Sequence, residues 1–246
     1  MALQDAAPAD IRQLPIVRQR LRQVTAYRRG EIAALGKAEE SKKTPGLSSL
    51  ALADTPSAFH VTVIPTQPFL AIPEVSSERR DYIPIGWLEP PTVPSNLVRI
   101  LPGATLWHFA ILTSHMHMAW MRQIGGRLES RYRYSIGLVY NNFPWPEASV
   151  AQRAKIETLA QAVLDARALP RNATSTLADL YDPDTMPASL RKAHHDLDLA
   201  IDRLYRKAAF GSDRERVEYL FTLYQRLIDP LHSAKNRRAI RQPPSP

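Results

Sequence analysis

The sequence predicts an α+β fold, in which short strands surround one buried helix and a small helical bundle follows. Three features of the chain favour this class. Short apolar runs separated by prolines occupy 59–102, a strongly apolar stretch occupies 104–124, and three amphipathic stretches follow residue 146. Frequent prolines confine short runs to edge strands and turns, while apolar residues at spacings of three and four indicate helices.

Residues 1–57 are predicted to form a basic helix and a linker. Apolar residues recur at spacings of three and four at Ile11, Leu14, Val17, Leu21 and Val24. The other faces carry Arg12, Arg18, Arg20, Arg22, Arg28 and Arg29. Pro15 is expected near the first turn or behind a short leading turn. The helix either contacts phosphates or presents a solvated face. Residues 36–57, with Pro45-Gly46 and several serines, indicate a loop or linker.

Residues 58–146 are predicted to form a mixed domain. Its predicted strands are Phe59–Ile64, Phe69–Ile72 and Val98–Leu101, and a polar connection leads from the second of these into the run Ile83–Leu88. The stretch 104–124 is long enough to span a bilayer, but histidines, Thr113 and Ser114 interrupt it, which favours a helix buried against a sheet. His115 and His117 lie two apart on that helix and point in different directions, so we interpret them as structural rather than metal ligands.

The stretch 125–146 has the composition of a recognition surface. Arg127, Arg131 and Arg133 alternate with Leu128, Tyr132 and Tyr134, and Glu129 lies between two of the arginines. In an extended strand these odd-numbered side chains would share one face. Guanidinium groups beside a carboxylate suit the edges of bases in a major groove. The alternative is a solvated strand face with an Arg–Glu ion pair. Ile136–Tyr140 is a further β-prone run, ended by Asn141–Pro146.

Residues 147–230 are predicted to form a helical domain, and 231–246 a disordered basic tail. Three apolar stripes mark its helices, at Ile156, Leu159, Ala160, Val163 and Leu164, then Leu190, Leu197, Ile201 and Leu204, then Val217, Leu220, Phe221, Tyr224 and Leu227. Ser212 and Glu215 have capping-box spacing. The pair His194-His195 is interpreted as surface or capping groups rather than as a general base. Three single-striped helices indicate a small bundle.

The composition favours an anionic partner. The formal net charge is +8, which favours nucleic acid ahead of a membrane, although charge alone is weak support. The chain has no cysteine, which excludes disulfides and thiolate metal sites. No apolar segment follows Met1, so no secretory signal is expected and a cytoplasmic location is predicted.

Several segments resemble one family. Gly126-Arg127-Leu128, Arg133-Tyr134-Ser135 and Tyr140–Pro146 resemble the target-recognition domain of MmeI-type (type IIL) restriction–modification enzymes. Pro73–Gly86 extends this match, and Leu177–Leu190 resembles the helical C-terminal domain of the family. These enzymes join a nuclease, an adenine methyltransferase, a DNA-reading domain and a helical domain. The resemblance covers roughly 58–228, with a looser match in the first helix, and it implies double-stranded DNA as partner.

The resemblance also implies DNA-binding residues. Glu74, Asn96 and Leu97 match positions coupled to interior base pairs. Glu can accept from the amino group of cytosine and Leu can contact a thymine methyl group, which favours a C:G pair followed by an A:T pair. Glu129 and Arg131 match a specificity pair that also occurs in the reversed order, Lys-x-Asp. The remaining predicted DNA contacts are Arg127 and Arg133 on the recognition stretch and Arg79 and Arg80, with the first helix, as phosphate contacts.

Catalytic motifs are missing from the sequence. No Gly-x-Gly turn follows a candidate strand, and no Asn/Asp-Pro-Pro-aromatic loop is present; Asn142–Trp145 shares letters with that loop but not their order. The Asp…Glu-x-Lys cluster of the nuclease has no counterpart either. We therefore expect no catalytic residue, metal or cofactor in this chain, and S-adenosylmethionine on a methyltransferase domain or subunit.

Three functions are compatible with the sequence to different degrees. The leading one is a sequence-specific DNA-recognition module, either the C-terminal piece of a split or truncated enzyme or a separate specificity subunit. The alternative is a scaffold protein whose basic face binds an acidic protein or RNA. A complete small enzyme is disfavoured, since no nucleophile–base or metal constellation is visible.

Overall fold

The computed structural model describes residues 3, 6–34, 37, 38, 44–58 and 65–240. The chain divides into two compact units, Met1–Ile64 and Pro65–Pro246. The predicted strand Phe59–Ile64 lies outside the described residues. The α+β class is confirmed, since helices accompany two small antiparallel sheets.

The first unit contains short helices tied together by an arginine. Its helices are α1 (Pro8–Gln13), α2 (Pro15–Arg28) and α3 (Leu47–Ala51). Leu14 separates α1 from α2, and Pro15 occupies the first turn of α2, where its missing N–H costs nothing. The guanidinium of Arg28 donates to the carbonyl oxygens of Leu52, Thr55 and Ala58 at 2.7, 3.0 and 2.7 Å. The predicted linker therefore contains a short helix followed by a segment bonded to α2.

The second unit begins with two three-stranded antiparallel sheets. Their strands are β1 (Phe69–Pro73), β2 (Val75–Ser76), β3 (Gly86–Leu88), β4 (Val98–Pro102), β5 (Gly126–Leu128) and β6 (Arg131–Arg133). The strand orders are β3-β1-β4 and β2-β6-β5. Glu74 joins the two sheets, because its N–H donates to the Leu97 carbonyl at 2.8 Å and its carbonyl accepts from the Tyr134 N–H at 2.7 Å.

The buried helix predicted over 104–124 is two helices, α4 (Leu106–Leu112) and α5 (His115–Ile124). Ser114 breaks the run: its hydroxyl donates to the Ile111 carbonyl at 2.7 Å and accepts from the His117 N–H at 3.2 Å. Such local side-chain bonds compete with helical bonding. Both helices are buried, as predicted, but they pack mainly against later helices, Leu106–Leu112 against Val150–Arg167 and His115–Ile124 against Asp213–Ile240, where the sequence predicts a sheet. Within the part of the chain that the structure describes, no helix is long and apolar enough to cross a membrane.

The recognition stretch forms a hairpin, so the prediction of one continuous strand is wrong. Strands β5 and β6 pair with Leu128 opposite Arg131, and Glu129 occupies the turn with a φ of 58°. Left-handed φ values are uncommon for a residue other than glycine, and alternation alone cannot reveal such a turn. Gly125 precedes β5, where a Cβ atom would lie 2.5 Å from the Met121 carbonyl oxygen.

The β-prone run Ile136–Tyr140 is a π-helical turn, which corrects the predicted strand. The Asn141 N–H donates to the Ile136 carbonyl at 2.9 Å. The Asn142 side-chain amide donates to the carbonyls of Gly137 and Leu138 at 2.8 and 3.1 Å. These side-chain bonds stabilise the π-helical turn, which the apolar residues of the run do not indicate by themselves.

The helical region contains α6 (Val150–Arg167), α7 (Leu177–Leu180), α8 (Ala188–Tyr205) and α9 (Asp213–Ile240). The three predicted stripes lie on α6, α8 and α9. Ser212 accepts from the Glu215 N–H at 3.2 Å, while the Glu215 carboxylate accepts from Gly211 instead. Residues 231–240 continue α9, whereas the sequence predicts a disordered tail there. No proline lies between Pro230 and Pro243, so no proline interrupts the helix in this segment. Residues 241–246 lie outside the described residues.

Candidate nucleic-acid interface

The hairpin formed by β5 and β6 presents arginines on two different faces. Arg131 and Arg133 are exposed, whereas Tyr132 between them is buried. Arg127 pairs opposite Tyr132, and its guanidinium lies 4.1 Å from the centre of the Tyr132 ring. One of its Nη groups also donates to the Arg122 carbonyl at 3.2 Å. The prediction that Arg127 shares a face with Arg131 and Arg133 is therefore wrong, because the turn reverses the alternation.

Glu129 and Arg131 lie at the exposed tip of the hairpin. Their side chains form an ion pair at 2.8 Å, and 77% of the Glu129 side chain and 47% of the Arg131 side chain are accessible. The pair is the contact that the alternative interpretation expects. Both groups nevertheless remain available to a ligand, since exposed ion pairs contribute at most about 1 kcal/mol and are readily exchanged.

Glu74 is a buried carboxylate that forms a cluster with two partly exposed arginines. Its Oε1 accepts from the Arg133 Nε at 2.8 Å, and its Oε2 accepts from an Nη group of Arg99. Only 5% of the Glu74 side chain is accessible. An open cavity of about 450 Å³ borders the cluster, and its remaining walls are Gly126 and the segment 134–138. The predicted base-reading carboxylate is therefore already bonded through both oxygens.

Asn96 and Leu97 lie next to this cluster, in the turn before β4. Both are exposed, and Leu97 retains 57% of its accessible surface. The backbone bond from the Glu74 N–H to the Leu97 carbonyl fixes the backbone of Leu97 beside that of Glu74. Three of the predicted reading positions are thus brought together at the junction of the two sheets.

Arg79 and Arg80 are engaged with the helical region instead of standing free. Arg79 forms an ion pair with Asp184 at 2.7 Å, and this carboxylate raises the Arg79 pKa. An Nη group of Arg80 donates to the Ala178 carbonyl at 3.3 Å. Their predicted phosphate contacts stay predictions, and the geometry gives them a packing role besides.

Comparisons with known proteins identify the family of this chain. A family model described as the MmeI target recognition domain matches residues 1–147, and one described as the MmeI C-terminal domain matches residues 148–232. The chain belongs to the MmeI family. The first of these matches also includes residues 1–57, for which the sequence predicts a basic helix and linker outside the recognition domain.

Two relatives show the extent of the likeness. DNA methyltransferase A of Bacillus subtilis (strain 168) is 38% identical over 228 residues, which cover 92% of this chain and 24% of the relative. A solved structure of the type IIL restriction–modification enzyme MmeI in complex with DNA has a TM-score of 0.82 and 39% identity, covering 92% of this chain and 28% of that one. This MmeI-family chain therefore spans about a quarter of the length of these relatives.

Arg99 is the residue of the Glu74 cluster that sequence reasoning missed. It lies in β4, on a strand that the sequence predicts as apolar, and bonds the buried Glu74. A charged side chain within a short apolar strand needs a buried partner, and this requirement was the available signal. Alternation of apolar residues alone did not identify the partner, because Glu74 is 25 residues away in sequence.

Two histidines of this MmeI-family chain, His117 and His194, have packing roles. Burial lowers the pKa of His117 to about 3, and its Nε2 lies 3.0 Å from the Tyr134 hydroxyl. His194 is buried rather than at the surface, which corrects the sequence interpretation; its Nε2 lies 2.6 Å from the Tyr181 hydroxyl. Among the described residues, no group of three or more histidine, aspartate or glutamate side chains could hold a metal ion.

Proposed function

We propose that the chain is the sequence-specific double-stranded DNA recognition module of an adenine-specific DNA methyltransferase of restriction–modification type. The family membership supports this role, and so do a relative named as a DNA methyltransferase and a structural neighbour described in complex with DNA. The net charge of +8 gives the long-range attraction to phosphates that such a module needs.

The single observation that carries the proposal is the state of Arg133. Its Nε is bonded to Glu74, while its two Nη groups have no bonded partner among the described residues. The side chain is 56% accessible and borders the open cavity. Two Nη groups in one plane can donate to the O6 and N7 atoms of guanine, which is the commonest specific contact in the major groove.

In this proposal, another part of the enzyme carries out the methyl transfer. The sequence offers neither the glycine turn that would approach S-adenosylmethionine nor the loop that would hold a flipped adenine. The cofactor and the methyl transfer therefore belong to a methyltransferase domain or subunit. The role of this chain is to select the DNA site at which that partner acts.

A selection from random duplex DNA tests the proposal, with the chain alone and together with the methyltransferase part of an MmeI-family enzyme. We expect one short motif to be enriched, and the same motif to be methylated at adenine when the partner and S-adenosylmethionine are present. The chain alone should transfer no methyl group. Enrichment without base preference, or methyl transfer by the chain alone, would contradict the proposal.

A further inference from the structure

The two arginines that bind Glu74 come from different sheets. Arg99 lies in β4 of the first sheet and Arg133 in β6 of the second, and Glu74 is the residue that links them. Each arginine takes one carboxylate oxygen, Arg133 taking Oε1 and Arg99 taking Oε2. The carboxylate is buried, whereas 37% of the Arg99 side chain and 56% of the Arg133 side chain are accessible. The buried negative charge is thus shared by two partly exposed cations.

This sharing limits how Glu74 can hold Arg133. A carboxylate and a lone guanidinium prefer a bidentate pair, with two parallel N–H···O bonds through Nε and one Nη group. Here only the Nε bond to Oε1 is present, because Oε2 is occupied by Arg99. The Nη groups of Arg133 therefore keep no bonded partner among the described residues, and the Arg133 side chain borders the open cavity. Without Arg99, the freed Oε2 would be a buried, unpaired oxygen, and Arg133 is the cation beside it.

We propose that Arg99 is a positioning residue for DNA reading: by occupying Oε2 of Glu74, it keeps the Nη fork of Arg133 free for a base. The proposal deepens the function proposed above and rests on it. Arg99 acts through Glu74 and needs no contact with the DNA. When Arg99 is removed, Glu74 can bond Arg133 through both carboxylate oxygens instead of through Oε1 alone. One Nη group of Arg133 is then held by Glu74 and is not available to a base.

The base preference measured by selection is the main readout. In Arg99→Gln the preference at the base pair read by Arg133 should fall by roughly 5- to 150-fold, the range that one bidentate contact supplies. The preferences at the other pairs of the motif should remain. Arg99→Lys retains a cation on Oε2 and should restore the preference. Arg214→Gln is the matched control, since it removes one positive charge from an exposed arginine in α9 that pairs with Glu218.

A second substitution tests the route through Glu74. In the double variant Glu74→Gln with Arg99→Gln, the side chain at 74 has a single acceptor oxygen and no charge, so it cannot bind Arg133 on two points. Preference at the Arg133 pair should therefore return towards the wild-type value. If the double variant instead loses as much preference as Arg99→Gln alone, Arg99 does not act through Glu74 and the proposal fails.

A measurement without DNA separates this proposal from the function on which it rests. The ¹⁵N spectrum of the arginine Nη groups, with Arg133 assigned by its loss in Arg133→Lys, reports rotation of the guanidinium. In the wild-type chain the Arg133 Nη signals should be averaged, and in Arg99→Gln they should separate as the bidentate pair forms. Unchanged signals would overturn the positioning role. A wild-type chain with these signals but no base preference would overturn the proposed function instead.

Thermal unfolding of each variant excludes simple misfolding. Arg99→Gln should unfold cooperatively, because Arg133 can compensate the buried carboxylate. A uniform loss of affinity over all base pairs, together with unchanged Nη signals, would identify Arg99 as a structural or phosphate-binding residue and contradict the proposal.

Discussion

At the scale of single residues, the turn of the hairpin is the most informative position. Glu129 has a φ of 58°, in the left-handed region that favours glycine. A non-glycine residue in this region costs on the order of 1–2 kcal/mol. Its exposed carboxylate, bonded to Arg131 at 2.8 Å, gains too little from that surface contact to offset the cost. Strain retained at an exposed tip is typical of a position used in recognition.

Exchanging the charges of this pair should redirect recognition. The sequence resemblance predicts a specificity pair here, in which Arg131 would donate to a guanine and Glu129 would accept from the paired cytosine. We expect Glu129→Lys with Arg131→Asp to invert one recognised C:G pair to G:C. Each single change should cost about 1–3 kcal/mol of binding free energy, since one partner loses its base contact. Selection from random duplex DNA measures the preferred motif of each variant.

The double change keeps the ion pair and the left-handed backbone, so its free energy of unfolding should stay near that of the wild type. Glu129→Gly is the companion control: it removes the carboxylate and the strain, and it should unfold at a higher temperature while losing base discrimination. If the double variant binds DNA with an unmoved sequence preference, Glu129 and Arg131 pair only with each other.

Residue identities near the site were predictable, but their bonding was not. The family resemblance located Glu74, Leu97 and Arg133, which the structure brings together. It did not indicate that Glu74 is buried or that Arg99 occupies one of its oxygens. Such contacts depend on how two sheets meet, and sequence periodicity carries no information on that junction.

At the scale of elements, apolar patterns over several residues predicted the helices and strands whose formation depends on packing against the core. The helices α6, α8 and α9 follow their apolar stripes, and β1 and β4 follow their short apolar runs. Elements decided by one backbone angle or one side-chain bond were missed. The hairpin depends on the φ of Glu129, the split between α4 and α5 on the hydroxyl of Ser114, and the π-helical turn on the amide of Asn142.

Helices α5 and α8 carry buried titratable groups whose pKa shifts oppose one another. Burial lowers the pKa values of His117 and His194, and burial raises the pKa of Asp198 to about 6. Asp198 accepts from the Tyr82 hydroxyl and from the His115 N–H, both at 2.7 Å. The two histidines stabilise the fold above their unfolded pKa of about 6.5, and this stabilisation is lost on acidification. Asp198 does the opposite: its stabilisation of the fold is complete below its unfolded pKa of about 3.9 and is lost as the pH rises through 6.

The pH dependence of stability should therefore decrease when His117 is replaced. Its pKa is about 3 in the folded chain, so protonation of the unfolded state at pH 5 should cost about 2 kcal/mol relative to pH 7.5. His117→Gln can still bond the Tyr134 hydroxyl but has no proton to gain. Urea unfolding at both pH values should show a fall in unfolding free energy that is smaller by about this amount.

Asp198→Asn gives the opposite control. It removes the group that gains stability on acidification, so the fall between pH 7.5 and 5 should become steeper. An unchanged pH dependence in both variants would show that these buried groups titrate alike in the folded and unfolded chain.

At the scale of the whole molecule, internal pairing reduces the number of arginines that are free for DNA. Arg79, Arg206 and Arg216 are paired with Asp184, Glu215 and Asp202. Arg29 is paired with Asp54, and Arg28 is bonded to backbone carbonyls. On α2, by contrast, the side chains of the exposed residues Arg18 and Arg22 form no bond within the described residues. The net charge of +8 therefore does not show which arginines can contact DNA, because many of them are already bonded within the chain.

The salt dependence of DNA binding should reveal which cations replace counterions on the phosphates. Log affinity should fall linearly with log salt, with a slope that changes by about 0.9 for each phosphate contact. We expect Arg18→Gln with Arg22→Gln to make the slope shallower by up to about 1.8 and to weaken all DNA sequences alike. Fluorescence anisotropy at several salt concentrations, on the selected duplex and on a scrambled one, gives both quantities.

Arg171→Gln with Arg214→Gln removes the same charge from two arginines already bonded, to Ser189 and Glu218. Because counterion release needs direct phosphate contact, this control should lower affinity little and leave the slope unchanged. Equal slopes for both double variants would show that α2 provides only general attraction. A flat salt dependence of the wild-type chain would contradict phosphate binding altogether and favour an acidic protein as the partner of its basic face.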